Sequence, residues 1–318
     1  MIYVLGDLHI RKEEPFFSAA RDVLNHMKSI LRQDDILIQA GDLFHTSKPF
    51  PKEYELIFSF LNWAQKNNIK TYLLAGNHDY HYGQGTYSID PLKDYVEEII
   101  YEPNVYNVDE EGTKVFFLPW QPIKNFKEVV EKEYPDKFES KIKEANFLIY
   151  HFSDETIMFG SSYQGTDLRP FEKVNPSIKR LGGDIHVKSS NYIGTPYQTR
   201  YDEKGQIGRY ATLLQDELSY FDLPIFTSYE DVEYDEGFSS SQKNYYPILT
   251  IKNAPSVDAA RQKYSDYPIR LIETITSMDR VEAEEKELSS LKEALSEFLT
   301  INSVDKHTKE YLNEVVNI

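Results

Sequence analysis

Five short clusters carry side chains that could do chemistry: GDLH at residues 6–9, AGDLFH at 40–45, AGNHDYH at 75–81, YHFSDE at 150–155 and GGDIH at 182–186. Each mixes Asp, Asn or His, and four of the five include glycine. A single Asp-x-His pair arises often by chance, and Asp, Asn and Gly are also ordinary turn residues. Five such clusters, each following an apolar run, point instead to metal binding. If Asp7 and His9 stand two apart on a strand, they project from one face and can grip one cation. Asp42 could bridge two cations through its two oxygens. Asn77 offers a neutral carbonyl oxygen, and His151 and His186 offer imidazole nitrogens. The sequence contains no cysteine, so the ligands are oxygen and nitrogen only. Such a set suits manganese, iron, zinc or magnesium. Two cations held about 3.5–4 Å apart would clamp a phosphate and activate a bridging water for in-line attack.

The elements that position these clusters can be read from hydrophobic periodicity. Short apolar runs, IYVLG, DILIQAG, KTYLLAG, KVFFLPW, NFLIYHF and RLGGDIH, read as strands. Between them PFFSAARDVLNHMKSILRQ and PKEYELIFSFLNWAQKNN carry apolar residues at helical spacing. This alternation predicts an α/β sheet covered by helices, with the clusters at the carboxyl ends of strands, where open α/β sheets bind ligands. YATLLQDELSYFDLP then reads as antiparallel edge strands. From Pro224 on, strand-like FDLPIFTSY and YPILTIKN flank an acidic, Ser-rich loop, and a helix is expected from Ser256 to Tyr264. Together they form a small α+β module. The tail places Val281, Leu288, Leu291, Leu295, Phe298 and Leu299 on one helical face. A second stripe holds Val304, His307, Tyr311, Leu312, Val315 and Val316. These helices either pack on their own protein or lend an apolar stripe to a partner's coiled coil.

The 318 residues, 40% of them hydrophobic, allow one large domain and a smaller one. No run reaches the roughly 18 apolar residues of a membrane span. The first strand starts at Ile2 with no basic segment before it, so no signal peptide is expected, and a cytoplasmic setting is the default. The net charge of −17 argues against broad attraction to nucleic acid. A nucleic-acid enzyme with this balance would need bound cations, local basic patches or a more basic partner.

GDLH, GDLFH, GNHD, the isolated His151 and the final Gly-x-x-His cluster resemble the five signature motifs of the calcineurin-like metallophosphoesterases. GDLFH with its His45, and the later IGTPYQTRYDE, are similar to the Mre/Rad repair nuclease subunit. The bacterial form of that subunit is the SbcD exonuclease subunit, and a phage form is the recombination endonuclease subunit. The resemblance implies a two-sheet α/β metallophosphoesterase sandwich flanked by helices over residues 1–222. It also implies an α+β capping, DNA-binding domain over 223–275 and a helical segment over 276–318. It further implies a manganese-dependent DNA nuclease, exo- or endonucleolytic, holding two divalent cations, with magnesium as the other choice of metal. Residues 279–318 would dock on a Rad/SbcC-type coiled-coil ATPase. A homodimer is implied too, with the helix of Tyr54, Ile57, Phe58 and Leu61 as a candidate contact. Carried over by motif, Asp7, His9, Asp42 and His186 would hold one metal, and Asp42, Asn77, His151 and Asp184 the other. His78 would stabilise the transition state or protonate the leaving oxygen, and His45 would place the DNA backbone. His81, His26 and His307 receive no role.

The chain departs from the family's Gly-His-x-His at one place, where Asp184 stands for the first histidine. We read Asp184 as a ligand, because hard divalent cations accept carboxylate oxygen. The extra negative charge should raise the pKa of a metal-bound water and move the activity optimum to the alkaline side. Two further readings stand beside the nuclease. One is a phosphoesterase acting on a nucleotide or small ester, and the other is a catalytically impaired scaffold, which Asp184 alone supports.

Overall fold

The computed structural model describes residues 1–154, 165–240 and 245–274. The chain begins with β1 (Ile2–Leu5), α1 (Phe16–Ile30), β2 (Ile36–Gln39), α2 (Pro51–Lys66) and β3 (Lys70–Leu74). A small hairpin follows, β4 (Tyr80–His81) and β5 (Thr86–Tyr87), and then β6 (Glu98–Ile100), β7 (Asn104–Asn107) and β8 (Lys114–Leu118). Short helical turns α3 (Phe126–Glu128), α4 (Tyr134–Lys137) and α5 (Glu139–Glu144) lead into β9 (Phe147–His151). Next come α6 (Arg169–Val174), β10 (Lys179–Gly183), β11 (Arg209–Leu214) and β12 (Glu217–Asp222).

Two sheets result. The first has the order β12-β11-β1-β2-β3-β6, and the second β10-β9-β8-β7. In the first, β1, β2, β3 and β6 run parallel, and the antiparallel β11 and β12 close one edge. In the second, β8, β9 and β10 are parallel and β7 is antiparallel. Strand alternation sorts the side chains into layers. Ile2, Val4, Ile36, Ile38 and Leu74 meet Val115, Phe117, Phe147, Ile149 and Leu181 in one core cluster, the filling of the sandwich. The next residues along the same strands, Leu5, Leu37 and Leu73, face the other way onto Val23, Leu24, Met27, Phe60 and Leu61 of α1 and α2. Phe116, Leu118, Leu148 and Tyr150 do the same against Tyr134, Ile142 and Phe171. Both faces of each sheet are therefore covered, which is why the parallel strands read as continuous apolar runs.

α2 starts at Pro51, whose missing N–H costs nothing at the first helical position. The Glu53 carboxylate accepts the Phe50 N–H and caps the first turn. Of the four residues raised as a dimer contact, Ile57 and Leu61 are buried in the chain's own core. Tyr54 and Phe58 are half-buried, with Phe58 stacked on Tyr54 and edge to face with Tyr95.

The chain divides into two compact units, Met1–Glu230 with Ser239–Ile248, and Asp231–Phe238 with the residues from Leu249 on. The division falls within β13 (Thr227–Glu233) and β14 (Tyr246–Ala254). The second unit goes on to α7 (Val257–Lys263) and β15 (Ile269–Thr274), with β14 and β15 parallel. Ser256 caps α7 by accepting the Ala259 N–H at 3.1 Å. Val232, Leu249, Ile251, Ala260 and Tyr264 form its own small core. The expected partner-binding tail, 279–318, lies outside the described residues.

Candidate metal centre

The ends of β1, β2, β3, β9 and β10 converge, and backbone strain aims what they carry. His9, Asp42 and Asp184 all take left-handed backbone angles, with φ of 44°, 48° and 73°. Asp and His tolerate that region better than most residues, and such outliers collect at functional sites. β1 stops at Leu5, so Asp7 and His9 lie beyond the strand. Their convergence comes from the turn at His9, and the expected strand alternation does not operate here. Glycine makes the close approach possible. A Cβ at Gly76 would stand 2.1 Å from Asp42 Oδ1, and one at Gly183 2.2 Å from the Ala40 carbonyl and 2.6 Å from Asp7 Oδ1.

Asp7, His9, Asp42 and His151 are buried, and Asn77, His78, His45, Asp184 and His186 are half-buried around them. His9 Nε2 lies 2.9 Å from His186 Nε2. Asp42 faces two sides. Its Oδ1 is 3.3 Å from His151 Nε2, and its Oδ2 is 3.8 Å from His9 Nε2 and 4.0 Å from His78 Nε2. Asn77 Oδ1 is 3.1 Å from the same His151 Nε2. Asp7 Oδ1 is 3.9 Å from His151 Nδ1, and Asp7 Oδ2 is 3.9 Å from His186 Nε2. Among the described residues three groups are tight enough to share an ion: Asp7 with His9 and His186, Asp7 with Asp42 and His151, and the all-histidine set His9, His45 and His78. Asp7 thus stands in two of them.

The donor chemistry fits cations. His151 donates Nδ1–H to the Ala40 carbonyl at 2.7 Å. Its Nε2 lone pair then faces Asn77 Oδ1 and Asp42 Oδ1, both acceptors. Only a proton or a metal ion between them makes that arrangement favourable. Burial works against the charged form of His151, but Asp42 and Asp7 outweigh it and raise its pKa well above the ordinary value. Burial, together with Asp42 and Asp184, pushes the Asp7 carboxyl up to about 7. Asp42 is buried too, yet His151, His9 and His78 hold it below the usual carboxylate range. His186 donates Nδ1–H to Glu203 and so presents Nε2. Two of these three imidazoles, His151 and His186, therefore have the outer-shell acceptor that metal-binding histidines use. His9 lacks one, since its Nδ1 has no partner among the described residues.

Asp184 differs from its neighbours. Its backbone N–H donates to both Asp7 oxygens, at 3.1 and 2.9 Å, while its own Oδ2 accepts the Ser153 hydroxyl at 2.8 Å. It belongs to none of the three ion-sharing groups. His78 donates Nδ1–H to the His45 carbonyl at 2.7 Å, and its backbone N–H donates to Asp42 Oδ1 at 2.9 Å. His45 keeps its Nδ1 without a partner among the described residues. Burial, with Arg11, His78 and Arg200 nearby, lowers the His45 pKa to about 4, so it is neutral at pH 7.

Two supporting carboxylates escaped the sequence reading. Asp79 accepts the Gly76 N–H at 3.0 Å and so pins the loop that presents Asn77 and His78. Burial and Asp42 push it up to about 7. Glu203 is 1% exposed and accepts from the Thr199 N–H at 2.5 Å and hydroxyl at 2.8 Å as well as from His186. Both residues lie inside quoted motifs, so the available signal was a carboxylate next to a ligand. Outer-shell partners typically carry about 10–100-fold in metal affinity. Glu203→Gln keeps the size and the threonine contacts, so a loss of that order in manganese affinity is expected with the melting temperature little changed. Unchanged affinity in a metal titration would remove Glu203 from the site.

The model of the calcineurin-like phosphoesterase family matches residues 1–188. The DNA double-strand break repair protein Mre11 of Methanocaldococcus jannaschii is 32% identical over 119 residues, 37% of this chain and 32% of that protein. The protein of the same name from Nanoarchaeum equitans is 31% identical over 87 residues, 25% of this chain and 24% of its own length. The chain thus matches about a quarter to a third of the length of these relatives. A solved structure of a protein of unknown function from Aquifex aeolicus aligns with a TM-score of 0.28 at 19% identity, over 51% of this chain and 81% of that one.

Proposed function

The chain belongs to the calcineurin-like phosphoesterase family, and from that premise we propose that it is a metal-dependent DNA nuclease subunit of the Mre11/SbcD type. The observation that carries the metal-dependent chemistry is Asp42, whose two oxygens face His151 on one side and His9 on the other. The DNA substrate rests on the likeness of part of the chain to the two Mre11 proteins. On this reading Asp7, His9, Asp42 and His186 hold one divalent cation, and Asp42, Asn77 and His151 the other. Asp184 contributes its backbone N–H to Asp7 and its carboxylate to the second cation's surroundings. When bound, the two cations supply positive charge to the phosphate and lower the pKa of an attacking water.

The protein's own groups do the rest. His78 is fixed at Nδ1 by the His45 carbonyl, so Nε2 is the atom that exchanges a proton with the leaving oxygen. Neutral His45, near Arg11 and Arg200, faces the incoming phosphodiester backbone. Bound cations and a partner offset the acidic surface. The partner on this reading is a Rad/SbcC-type ATPase docked on residues 279–318, and the nuclease subunit pairs as a homodimer.

Linear DNA is expected to be degraded in Mn²⁺ and the reaction to stop on addition of EDTA. A chromogenic phosphodiester run in parallel separates this reading from a small-ester phosphoesterase. Hydrolysis of the chromogenic ester with the DNA left intact would decide for the latter.

A further inference from the structure

The hairpin directly after the His78 loop carries aromatic rings that the chemistry above does not use. Tyr82 is 74% exposed, yet its ring lies 5.1 Å from Tyr80 and 6.1 Å from Trp120, edge to face with both. Tyr80 and Trp120 are themselves 5.9 Å apart. The cluster is tied to the metal-binding loop at two points. The Trp120 N–H donates to the Ala75 carbonyl at 3.2 Å, and the Ser88 N–H donates to the Asp79 carbonyl at 2.7 Å. Hydrogen bonds from Gln84 and Gly85 to the His81 carbonyl tighten the hairpin turn.

Trp120 also forms one wall of a depression of about 220 Å³. Trp120, Phe126 and Phe152 make its apolar side, and Asn77, Ser153 and Asp184 its polar side. An aromatic wall therefore continues directly into the residues around the cations. The volume is below the roughly 300 Å³ at which sites for whole drug-sized ligands begin, so it takes a piece of a substrate. Whatever ester sits at the cations has its neighbouring group beside Trp120. The chain's net charge of −17 favours contacts to the uncharged part of a nucleic acid over contacts to its phosphates. Stacking on aromatic rings is such a contact, and it tolerates any base because every base has a π-face.

We propose that Tyr82, Tyr80 and Trp120 form a stacking platform for an unpaired base next to the scissile phosphate. This rests on the nuclease reading and narrows it. A base inside a duplex has both faces occupied, so the platform selects single-stranded DNA or frayed ends.

The protein has two tryptophans, Trp63 and Trp120, so W63F leaves Trp120 as the sole indole reporter. This chain, in Ca²⁺, is titrated with a single-stranded oligonucleotide and with the same backbone made abasic. The intact oligonucleotide is expected to quench Trp120 and to bind about 5- to 150-fold more tightly than the abasic one. Adding Tyr82→Ala should shrink that gap while metal content and melting temperature stay as before. Equal binding of both oligonucleotides without quenching, or a Tyr82→Ala loss that falls equally on both, overturns the platform. DNA hydrolysis in Mn²⁺ that is equally fast on intact and on abasic strands overturns the platform and leaves the nuclease standing. Base-dependent quenching with no DNA hydrolysis in Mn²⁺ supports the platform and removes the nuclease.

Discussion

Asp42→Ala is expected to lose bound metal and phosphodiester hydrolysis together, with activity down by at least about 10³-fold. The size follows from the role. Bound cations contribute several kcal/mol of charge stabilisation in metal-assisted hydrolysis, and each 1.36 kcal/mol is tenfold in rate. One carboxylate lies between His151 at 3.3 Å and His9 at 3.8 Å, so its removal opens both positions at once. Alanine also gives up the contact to the His78 N–H and sits poorly at a φ of 48°, so the variant could fail for reasons of folding. Asp42→Asn answers that objection. It tolerates the same backbone, retains an oxygen for the His78 N–H and removes only the charge. The asparagine variant should melt like the parent and still bind little metal, as read by elemental analysis of the dialysed protein. A fully active Asp42→Asn chain with a normal metal content would refute the two-cation arrangement.

The positions of the site residues were legible because the sheets are buried on both faces. Apolar runs such as IYVL and FLIY give way abruptly to Asp and His, so each strand's end and each polar cluster announce one another. Local geometry was less legible. The pairing of Asp7 with His9 looked like strand alternation, but β1 stops at Leu5, and a left-handed turn at His9, which no periodicity signals, brings the two together. Contacts distant in sequence were not legible at all. His186 finds Glu203 only because the chain doubles back through Thr199, and Asp184 finds Ser153 across 31 positions. The reading of Asp184 as a ligand weighed the chemistry of a carboxylate against cations. The Ser153 hydroxyl, which donates to one of its two oxygens, is a contact that no spacing signals. The hairpin aromatics were missed for a related reason: Tyr82 meets Trp120, which comes from beyond β8, and no local pattern links the two.

His78→Ala is the sharper test of mechanism, because it separates proton transfer from metal binding. His78 Nδ1 is occupied by the His45 carbonyl at 2.7 Å, and Nε2 is 4.0 Å from Asp42 Oδ2. The side chain is 30% exposed, so it can reach a substrate oxygen from the open side of the cluster. What holds the Asp42 carboxylate at this point is the backbone N–H of residue 78, which alanine retains. The substitution therefore removes a proton carrier and one partly buried hydrogen bond, worth about 1 kcal/mol of stability. General acid–base groups contribute typically about 10²- to 10⁴-fold, so turnover should fall by that factor with metal content and melting temperature close to the parent's. The leaving group offers an internal control. A p-nitrophenolate departs with little help from an acid, whereas the 3′ or 5′ alkoxide of DNA needs a proton. If His78 supplies that proton, His78→Ala should damage DNA hydrolysis far more than hydrolysis of a p-nitrophenyl phosphodiester. Equal damage to both would assign His78 to stabilising charge on the phosphate, and loss of metal would make it a ligand with His9 and His45, the third ion-sharing group in the cluster.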